Sequence, residues 1–246
     1  MHCISQTFGC LSWTLEALGC CSFQVDEEAA RDRLGFESVL WEKTQDDRSE
    51  FWNNFQANMR LYDRLSPLVE KGITILESSG IEKGVAVDLG CGIDSTTFHL
   101  LNRGWKVYAV DSSESVIKTL EERGKKWIEE GQLVLVNQSI EEFEFPEKVH
   151  LVTASDSLPY CNPKKINQVF LDIKGALLPQ GVLVCNFFPY ENLLMDGAMR
   201  YMFGAWMTTK CVVERVVESA EFSSWSVKDG RSRGGMANQF HVIARA

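Results

Sequence analysis

The stretch that most constrains the fold is VAVDLGCGIDSTTF, residues 85–98. An apolar run that contains one acid leads into two glycines, Gly90 and Gly92, and then into a segment with helical spacing. Glycines at such a strand-to-helix turn allow the backbone to approach a ligand closely at the carboxyl end of a strand. The helix that follows directs free N–H groups toward the same place. The stretch therefore predicts a ligand site at the edge of a sheet.

Downstream of residue 84, short apolar runs alternate with segments of helical spacing. The apolar runs that we predict as strands are 85–89, 105–110, 132–138, 149–155 and 182–188. This alternation is typical of βαβ units with right-handed crossovers, and it predicts an α/β fold with a mostly parallel sheet. The chain ends differently, because a helix near 208–220 precedes two strands joined by a turn with three glycines. We therefore expect the last strand to run antiparallel to the others.

Three of the predicted helices have recognisable ends. The helix that starts near Ser95 is expected to end at Gly104, and the next one to begin after a cap at Ser112 or Ser113. The helix before the fifth strand is predicted to use Asn162 as its cap and Pro163 as its first residue.

Residues 1–83 precede the alternating pattern, and we expect them to form an N-terminal helical cap. Aromatic side chains that include Trp52 and Tyr62 fall at helical spacing, either as a core-facing stripe or as part of a substrate site. The first 25 residues are mildly apolar, but Glu16 interrupts them and no Lys or Arg precedes Arg31. Neither a signal peptide nor a membrane-spanning helix is therefore expected.

Composition bounds the function further. The formal net charge of −9 argues against a nucleic-acid partner, because such a partner needs a broad phosphate-binding surface. Of the eight cysteines, two lie in predicted core segments, and no pair has C-x₂-C spacing. We therefore expect no metal site, no membrane partner, and reduced thiols in a cytoplasmic protein.

The strand after the glycine turn ends in another acid, Asp111, which follows Gly90 by 21 residues. A carboxylate at that point can accept hydrogen bonds from both hydroxyls of a ribose, so the ligand is predicted to contain one. A dinucleotide pattern needs a third glycine at position 95, where Ser95 stands. Asp88 also disfavours a pyrophosphate beside the turn but suits a cationic amine. These residues favour an adenosine cofactor other than a dinucleotide.

The segments VDLGCGIDS and VYAVDSS resemble the first glycine motif and the following acidic motif of class I S-adenosylmethionine-dependent methyltransferases of the small-molecule type. Asp94 stands where the family often has the motif's last glycine. The resemblance implies a Rossmann-like, seven-stranded sheet between two helical layers, with an antiparallel last strand. It also implies a cofactor-binding domain over 84–246, after the cap at 1–83, with a lid insertion at about 189–207.

The resemblance assigns roles around the glycine turn. The backbone of Gly90, Cys91 and Gly92 is expected to line the methionine part of S-adenosylmethionine. Asp88 is expected to orient the amine of that methionine part, directly or through water.

Residues after the next strands are expected to hold the rest of the cofactor. The resemblance implies that Asp111 binds the ribose hydroxyls, with help from the adjacent Ser112. Ser139 and Ile140 are expected to contact the adenine, although Ser139 is alternatively a turn residue. Ser155 is the last residue of the predicted fourth strand, at the edge where the family faces its cofactor and substrate, and it is expected to bind the cofactor.

Acceptor residues are less well specified. After the fourth strand, ASDSLPYCNP lacks the acid or amide that begins the D/N-P-P-Y/F motif of adenine-N6 DNA methyltransferases, which disfavours base methylation. Asp156 and Tyr160 are candidates for substrate contact or catalysis. Alternatively, Asp156 lies in a turn and Tyr160 packs beneath the sheet edge. The segment 189–209 is rich in methionine and aromatic residues, including Tyr201 and Trp206. It is predicted as a lid over an apolar acceptor or as an extra packing helix.

The predicted function is methyl transfer from S-adenosylmethionine to a small-molecule acceptor. Two alternatives stay open: a protein side-chain methyltransferase, and a non-catalytic interaction protein that binds S-adenosylmethionine. An open trough beside the cofactor would favour the protein acceptor, and cofactor binding without turnover would favour the interaction protein.

Overall fold

Eight strands form one mixed sheet in this protein, for which a computed structural model describes residues 65–93, 95–190, 205–232 and 238–246. All the described residues belong to one unit, Glu37–Ala246. The strands are β1 (Val85–Leu89), β2 (Lys106–Val110), β3 (Leu133–Val136), β4 (Val149–Ala154), β5 (Leu177–Pro189), β6 (Met207–Thr208), β7 (Ser224–Arg231) and β8 (Asn238–Arg245).

The sheet order is β3-β2-β1-β4-β5-β8-β7, with the short β6 paired to the end of β5. Strands β1 to β5 run parallel, and β8 lies antiparallel between β5 and β7. The order reverses between β1 and β4, because the chain first builds outward through β2 and β3 and then returns. In parallel sheets, ligands bind at such a reversal, beyond the carboxyl ends of the strands.

Five helices flank the sheet in the described part of the chain: α1 (Pro67–Ser78), α2 (Ser95–Asn102), α3 (Glu114–Glu129), α4 (Ile166–Ala176) and α5 (Lys210–Ser219). Helices α1, α2 and α3 share one buried cluster with alternate residues of the strands, including the fully buried Trp105. On the opposite face, Phe170 of α4 stacks on Phe187 of β5. None of the described helices is long and apolar enough to cross a bilayer.

The predicted α/β fold, with its mostly parallel sheet and antiparallel last strand, is confirmed. The sequence missed β6, whose two residues are too short to show a period. The cap prediction at Asn162 was wrong for the helix: α4 begins at Ile166, after Lys165. Asn162 instead accepts the N–H of Lys164 through its side chain, which makes a turn before the helix. Ser113, one of two predicted caps, is the residue before α3.

One close helix-to-sheet contact yields a stability prediction. A β-carbon on Gly72 in α1 would lie 2.6 Å from Cγ1 of Val184, which is fully buried in β5. Because a valine side chain in a packed strand cannot rotate away easily, we expect Gly72→Ala to destabilise the fold by about 1–3 kcal/mol in urea unfolding.

The matched control is Gly175→Ala in α4, where an added β-carbon meets nothing within 4 Å. Alanine is a better helix former than glycine, so this change should be neutral or should stabilise the protein by up to about 1 kcal/mol. Equal losses in both variants would show that α1 does not pack on β5 at this distance.

Candidate functional site

The turn between β1 and α2 has the backbone conformation that its two glycines permit. Gly90 and Gly92 have positive φ angles of 65° and 52°, a region that residues with a β-carbon rarely adopt. Between them, the N–H of Cys91 donates to the carbonyl oxygen of Val110 at 3.0 Å. The turn is thereby attached to the end of β2.

Gly90 is required for a second reason, which is a close approach from the loop after β4. A β-carbon on Gly90 would lie 2.4 Å from Cβ of Ser157. The Ser157 hydroxyl donates to the carbonyl oxygen of Leu89 at 2.7 Å, and the side chain is buried. Ser157 therefore supports the glycine turn, and it occupies the position where adenine-N6 DNA methyltransferases carry their acid or amide.

Asp111 joins the glycine turn to the loop after β2. Its Oδ2 accepts the N–H of Gly92 and its Oδ1 accepts the N–H of Ser113, each at 2.9 Å. Burial raises the pKa of Asp111 above its usual value, and these two N–H donors oppose that shift. Each carboxylate oxygen has two lone pairs, so both oxygens retain capacity for a further donor such as a ribose hydroxyl.

Asp88 lies within β1 and is only 3% exposed. Its Oδ2 accepts the hydroxyl of Thr97 in α2, and its Oδ1 accepts the hydroxyl of Thr153 in β4, both at 2.7 Å. A buried carboxylate needs such donors, because desolvation is costly without them. The side chain thus ties together the strand, the following helix and the neighbouring strand. Its expected contact with a ligand amine stays a prediction.

The remaining predicted cofactor residues lie around this turn. Ile140 and Ser139 lie in the turn after β3, and Cδ1 of Ile140 would be 3.6 Å from a β-carbon on Gly90. Ser112 is exposed beside Asp111. Ser155 follows β4, and its buried hydroxyl oxygen has no hydrogen-bond partner among the described residues. An orphan hydroxyl at this edge is available to a ligand.

Cys91 has no nucleophilic role in this arrangement. The side chain is buried, and burial together with the carboxylates of Asp111 and Asp88 raises the pKa of its thiol well above the usual value. Because the thiolate is the reactive form, Cys91 stays a thiol at neutral pH. Within the described residues, no group of three or more acids, histidines and cysteines is arranged to hold a metal ion.

Asp156 lies just beyond β4 and is exposed, with a positive φ of 57°. Its N–H donates to Oδ1 of Asn186 at 2.8 Å, and Nδ2 of Asn186 returns a hydrogen bond to Asp156 Oδ1 at 2.7 Å. Nε2 of Gln239 donates to the same oxygen at 2.5 Å. Both amide residues are almost completely buried. The carboxylate is therefore fixed by β5 and β8.

An aromatic cluster lies beside this acid. Tyr160 and Phe188 meet edge to face with ring centroids 6.3 Å apart, and Met207 of β6 packs in the same small cluster. Trp206 is only 3% exposed and packs edge to face on Phe187, on the other side of β5. This position favours the packing role for Trp206, and its substrate contact stays a prediction. Trp52, Tyr62 and Tyr201 lie outside the described residues.

Some residues of this region carried no motif in the sequence. Ser157, Thr97 and Thr153 were missed because hydroxyl residues are common in turns and strands. Asn186 and Gln239 were missed because a single polar residue within a strand does not indicate its partner. Tyr160 and Asp156, both predicted as candidates, are placed on adjoining parts of one loop.

Comparisons with known proteins agree with this geometry. Residues 86–181 match the family model described as a methyltransferase domain. A carboxy-S-adenosyl-L-methionine synthase from Shewanella sediminis is 31% identical over 103 residues, which are 40% of this chain and 42% of that protein. The chain thus matches less than half the length of this relative.

Solved structures share the fold at low identity. Magnesium protoporphyrin IX methyltransferase from Synechocystis PCC 6803, with bound S-adenosylmethionine, has a TM-score of 0.55 at 14% identity, covering 85% of this chain and 96% of that one. The 1,6-didemethyltoxoflavin-N1-methyltransferase of Burkholderia thailandensis has a TM-score of 0.55 at 17% identity and covers 92% of each chain.

The glycine turn and the acid that follows β2 both lie in the region that the family model matches, and the antiparallel last strand follows later in the chain. Residues 86–181 are therefore similar to a methyltransferase domain, and the described chain shares its fold with methyltransferases solved with S-adenosylmethionine or S-adenosylhomocysteine.

Proposed function

We propose that this protein is an enzyme that transfers a methyl group from S-adenosylmethionine to a small-molecule acceptor. The observation that carries the proposal is the link between the two cofactor motifs: Asp111 holds the N–H of Gly92 in the turn. This single contact places a carboxylate suited to a ribose beside a backbone turn suited to close ligand approach. The structural neighbours support a small acceptor, since one of them holds 1,6-didemethyltoxoflavin.

In the proposed complex, successive parts of the cofactor lie against successive loops along the sheet edge. In this proposal the backbone of Gly90, Cys91 and Gly92 lines the methionine part. Asp88 stays beneath the turn, where its negative charge favours the cofactor's cationic amine, directly or through water.

The ribose and adenine are assigned to the next loops. Asp111 accepts the ribose hydroxyls, and Ser112 lies next to it. Ile140 gives the adenine an apolar wall because it is adjacent to Gly90, and Ser139 offers a hydroxyl. Ser155 is proposed to bind the cofactor, which would give its buried hydroxyl oxygen a hydrogen-bond partner.

The reaction places modest demands on the side chains. When bound, S-adenosylmethionine supplies an activated methyl group on a sulfonium. The chain has to hold the acceptor in line with that methyl group and exclude water. The loop with Asp156 and Tyr160 is the described part of the chain best placed for the acceptor. Most of the predicted cap at 1–83 and most of the predicted lid at about 189–207 lie outside the described residues. The proposed enzyme is cytoplasmic.

Radiolabelled methyl transfer into a cell metabolite extract tests the proposal. A labelled small product, formed only with the intact protein and inhibited by S-adenosylhomocysteine, is the expected outcome. If only protein becomes labelled, the acceptor is a protein side chain. S-adenosylmethionine binding with no labelled product would assign a non-catalytic interaction protein.

The ribose assignment gives a binding prediction. Asp111→Asn removes the charge and replaces one of the two accepting oxygens by an NH2 group, so S-adenosylhomocysteine should bind more weakly by roughly 1–3 kcal/mol, as measured by calorimetry. Asp172→Asn is the matched control, because Asp172 is exposed on α4, where its Oδ1 accepts a hydrogen bond from Nε2 of Gln168. If folded Asp111→Asn protein binds S-adenosylhomocysteine with the wild-type dissociation constant, Asp111 does not contact the ribose.

The glycine turn gives another binding prediction. Gly90→Ala forces a β-carbon against Ser157 at a positive φ, so the turn must move and S-adenosylhomocysteine affinity should fall at least about tenfold. Gly131→Ala is the control: Gly131 also has a positive φ, 71°, but nothing lies within 4 Å of an added β-carbon. If both variants keep cofactor affinity, the turn does not touch the cofactor.

A further inference from the structure

The end of β5 presents a polar residue and then an aromatic residue on one face. Every second residue of the strand points to this face, namely Val184, Asn186 and Phe188. Helix α1 packs on the same face, at Val184. Asn186 holds the Asp156 carboxylate, and Phe188 meets Tyr160 edge to face. Residues two apart in a strand have Cα atoms about 7 Å apart. A fixed carboxylate and an aromatic pair therefore lie within the span of one small molecule.

The backbone at Asp156 is unusual. Three residues other than glycine have a positive φ in the described part of the chain: Asp156, Gln180 and Glu221. Gln180 lies within β5 near its amino end, and Glu221 follows α5, so neither is near the glycine turn. Asp156 alone of the three lies at the carboxyl end of the parallel strands. Strained backbone is kept where surrounding contacts fix it, and it concentrates at functional sites.

The contacts that fix Asp156 set one carboxylate oxygen in place. Asn186 and Gln239 are 2% and 5% exposed, and both donate to Oδ1. Because a carboxylate can only accept, the amide nitrogens must point toward Asp156. Asn186 Oδ1 in turn receives the Asp156 N–H. The acid is thus held by both its backbone and its side chain, while the residue remains exposed.

Methyl transfer to nitrogen creates the charge that this arrangement suits. The nitrogen lone pair forms the new N–C bond, and the electrons of the broken S–C bond stay on sulfur. The positive charge therefore leaves the sulfonium and appears on the acceptor nitrogen, which later releases a proton to water. A carboxylate that accepts the nitrogen's N–H stabilises this growing charge, and aromatic rings beside it contribute cation–π attraction. The neutral amine brings the lone pair that attacks, so an amine that arrives protonated first releases that proton to water.

We propose that the acceptor atom is the nitrogen of a primary or secondary amine, whose N–H donates to Asp156 while its carbon frame lies against Tyr160, which packs edge to face on the buried Phe188. This inference rests on the proposed function and adds the chemical class of the acceptor. The overall negative charge of the protein is consistent with such a partner, because an acidic surface attracts amines that are protonated in solution.

The test uses the full chain, isotope-labelled S-adenosylmethionine and a cell metabolite extract. The labelled product is isolated, and the methyl-bearing atom is identified by mass spectrometry and NMR. The expected result is an N-methyl group. With the purified acceptor, Asp156→Asn should lower kcat/KM at least about tenfold, the loss of a hydrogen bond to a charged group. Affinity for S-adenosylhomocysteine should stay unchanged.

The variant and its control are matched. Asparagine tolerates the left-handed backbone of residue 156 as aspartate does, so the loop is kept. Asp172→Asn makes the same change on the exposed face of α4 and should leave turnover at the wild-type level. The assignment of the methylated atom uses the unaltered protein and stands even if Asp156→Asn does not fold.

Several outcomes overturn the proposal. Label on oxygen, sulfur or carbon excludes an amine acceptor. If folded Asp156→Asn protein keeps full turnover, Asp156 does not contact the acceptor. Equal losses of cofactor affinity and turnover would place Asp156 against the cofactor instead. Cofactor binding with no labelled product in the wild type is a different failure, because it refutes the enzymatic function itself.

Discussion

The packing of Ser157 against the glycine turn is the contact on which the site depends. A β-carbon on Gly90 would be 2.4 Å from Cβ of Ser157, and the Ser157 hydroxyl donates a hydrogen bond to the carbonyl oxygen of Leu89. The loop after β4 therefore sits directly on the turn after β1. That closeness brings two regions together that are far apart in sequence: the glycine turn, and the loop that carries Asp156 and Tyr160. Any side chain at residue 90 would separate them, since the φ there is positive as well.

Two carboxylates hold this arrangement from different sides. Asp88 is buried and accepts hydroxyls from Thr97 and Thr153, so it fastens α2 and β4 to β1. Asp111 is partly exposed and accepts two backbone N–H groups, so it fastens the turn to the end of β2. The hydrogen bonds offset the cost of removing each charge from water. Both acids thus shape the turn before any ligand binds, which lowers the ordering cost of binding.

The sequence predicted what depends on local pattern. The alternation of apolar runs with segments of helical spacing predicted the order of strands and helices. The positions of Gly90, Gly92 and Asp111 at the ends of predicted strands indicated the edge of the sheet where these residues meet. The start of α4 was missed because Asn162 forms a turn of its own before the helix begins. The contacts of Asp156 could not be predicted, since Gln239 lies 83 residues away and reaches the acid only after β8 inserts between β5 and β7. Such pairings depend on topology, and no local pattern encodes them.

That insertion of β8 gives the proposed acceptor site its physical character. An antiparallel last strand adds residues to the carboxyl end of β5, opposite Asn186 and Phe187, where a purely parallel sheet would leave an edge. Gln239 enters from this strand, so the Asp156 carboxylate is held from two strands and not from its own loop alone. A carboxylate fixed in this way need not reorganise when charge develops nearby, and preorganised groups stabilise a transition state most effectively. The topology that distinguishes this sheet from a dinucleotide-binding one therefore also supplies Gln239, which helps to hold the acid that we propose for the acceptor nitrogen.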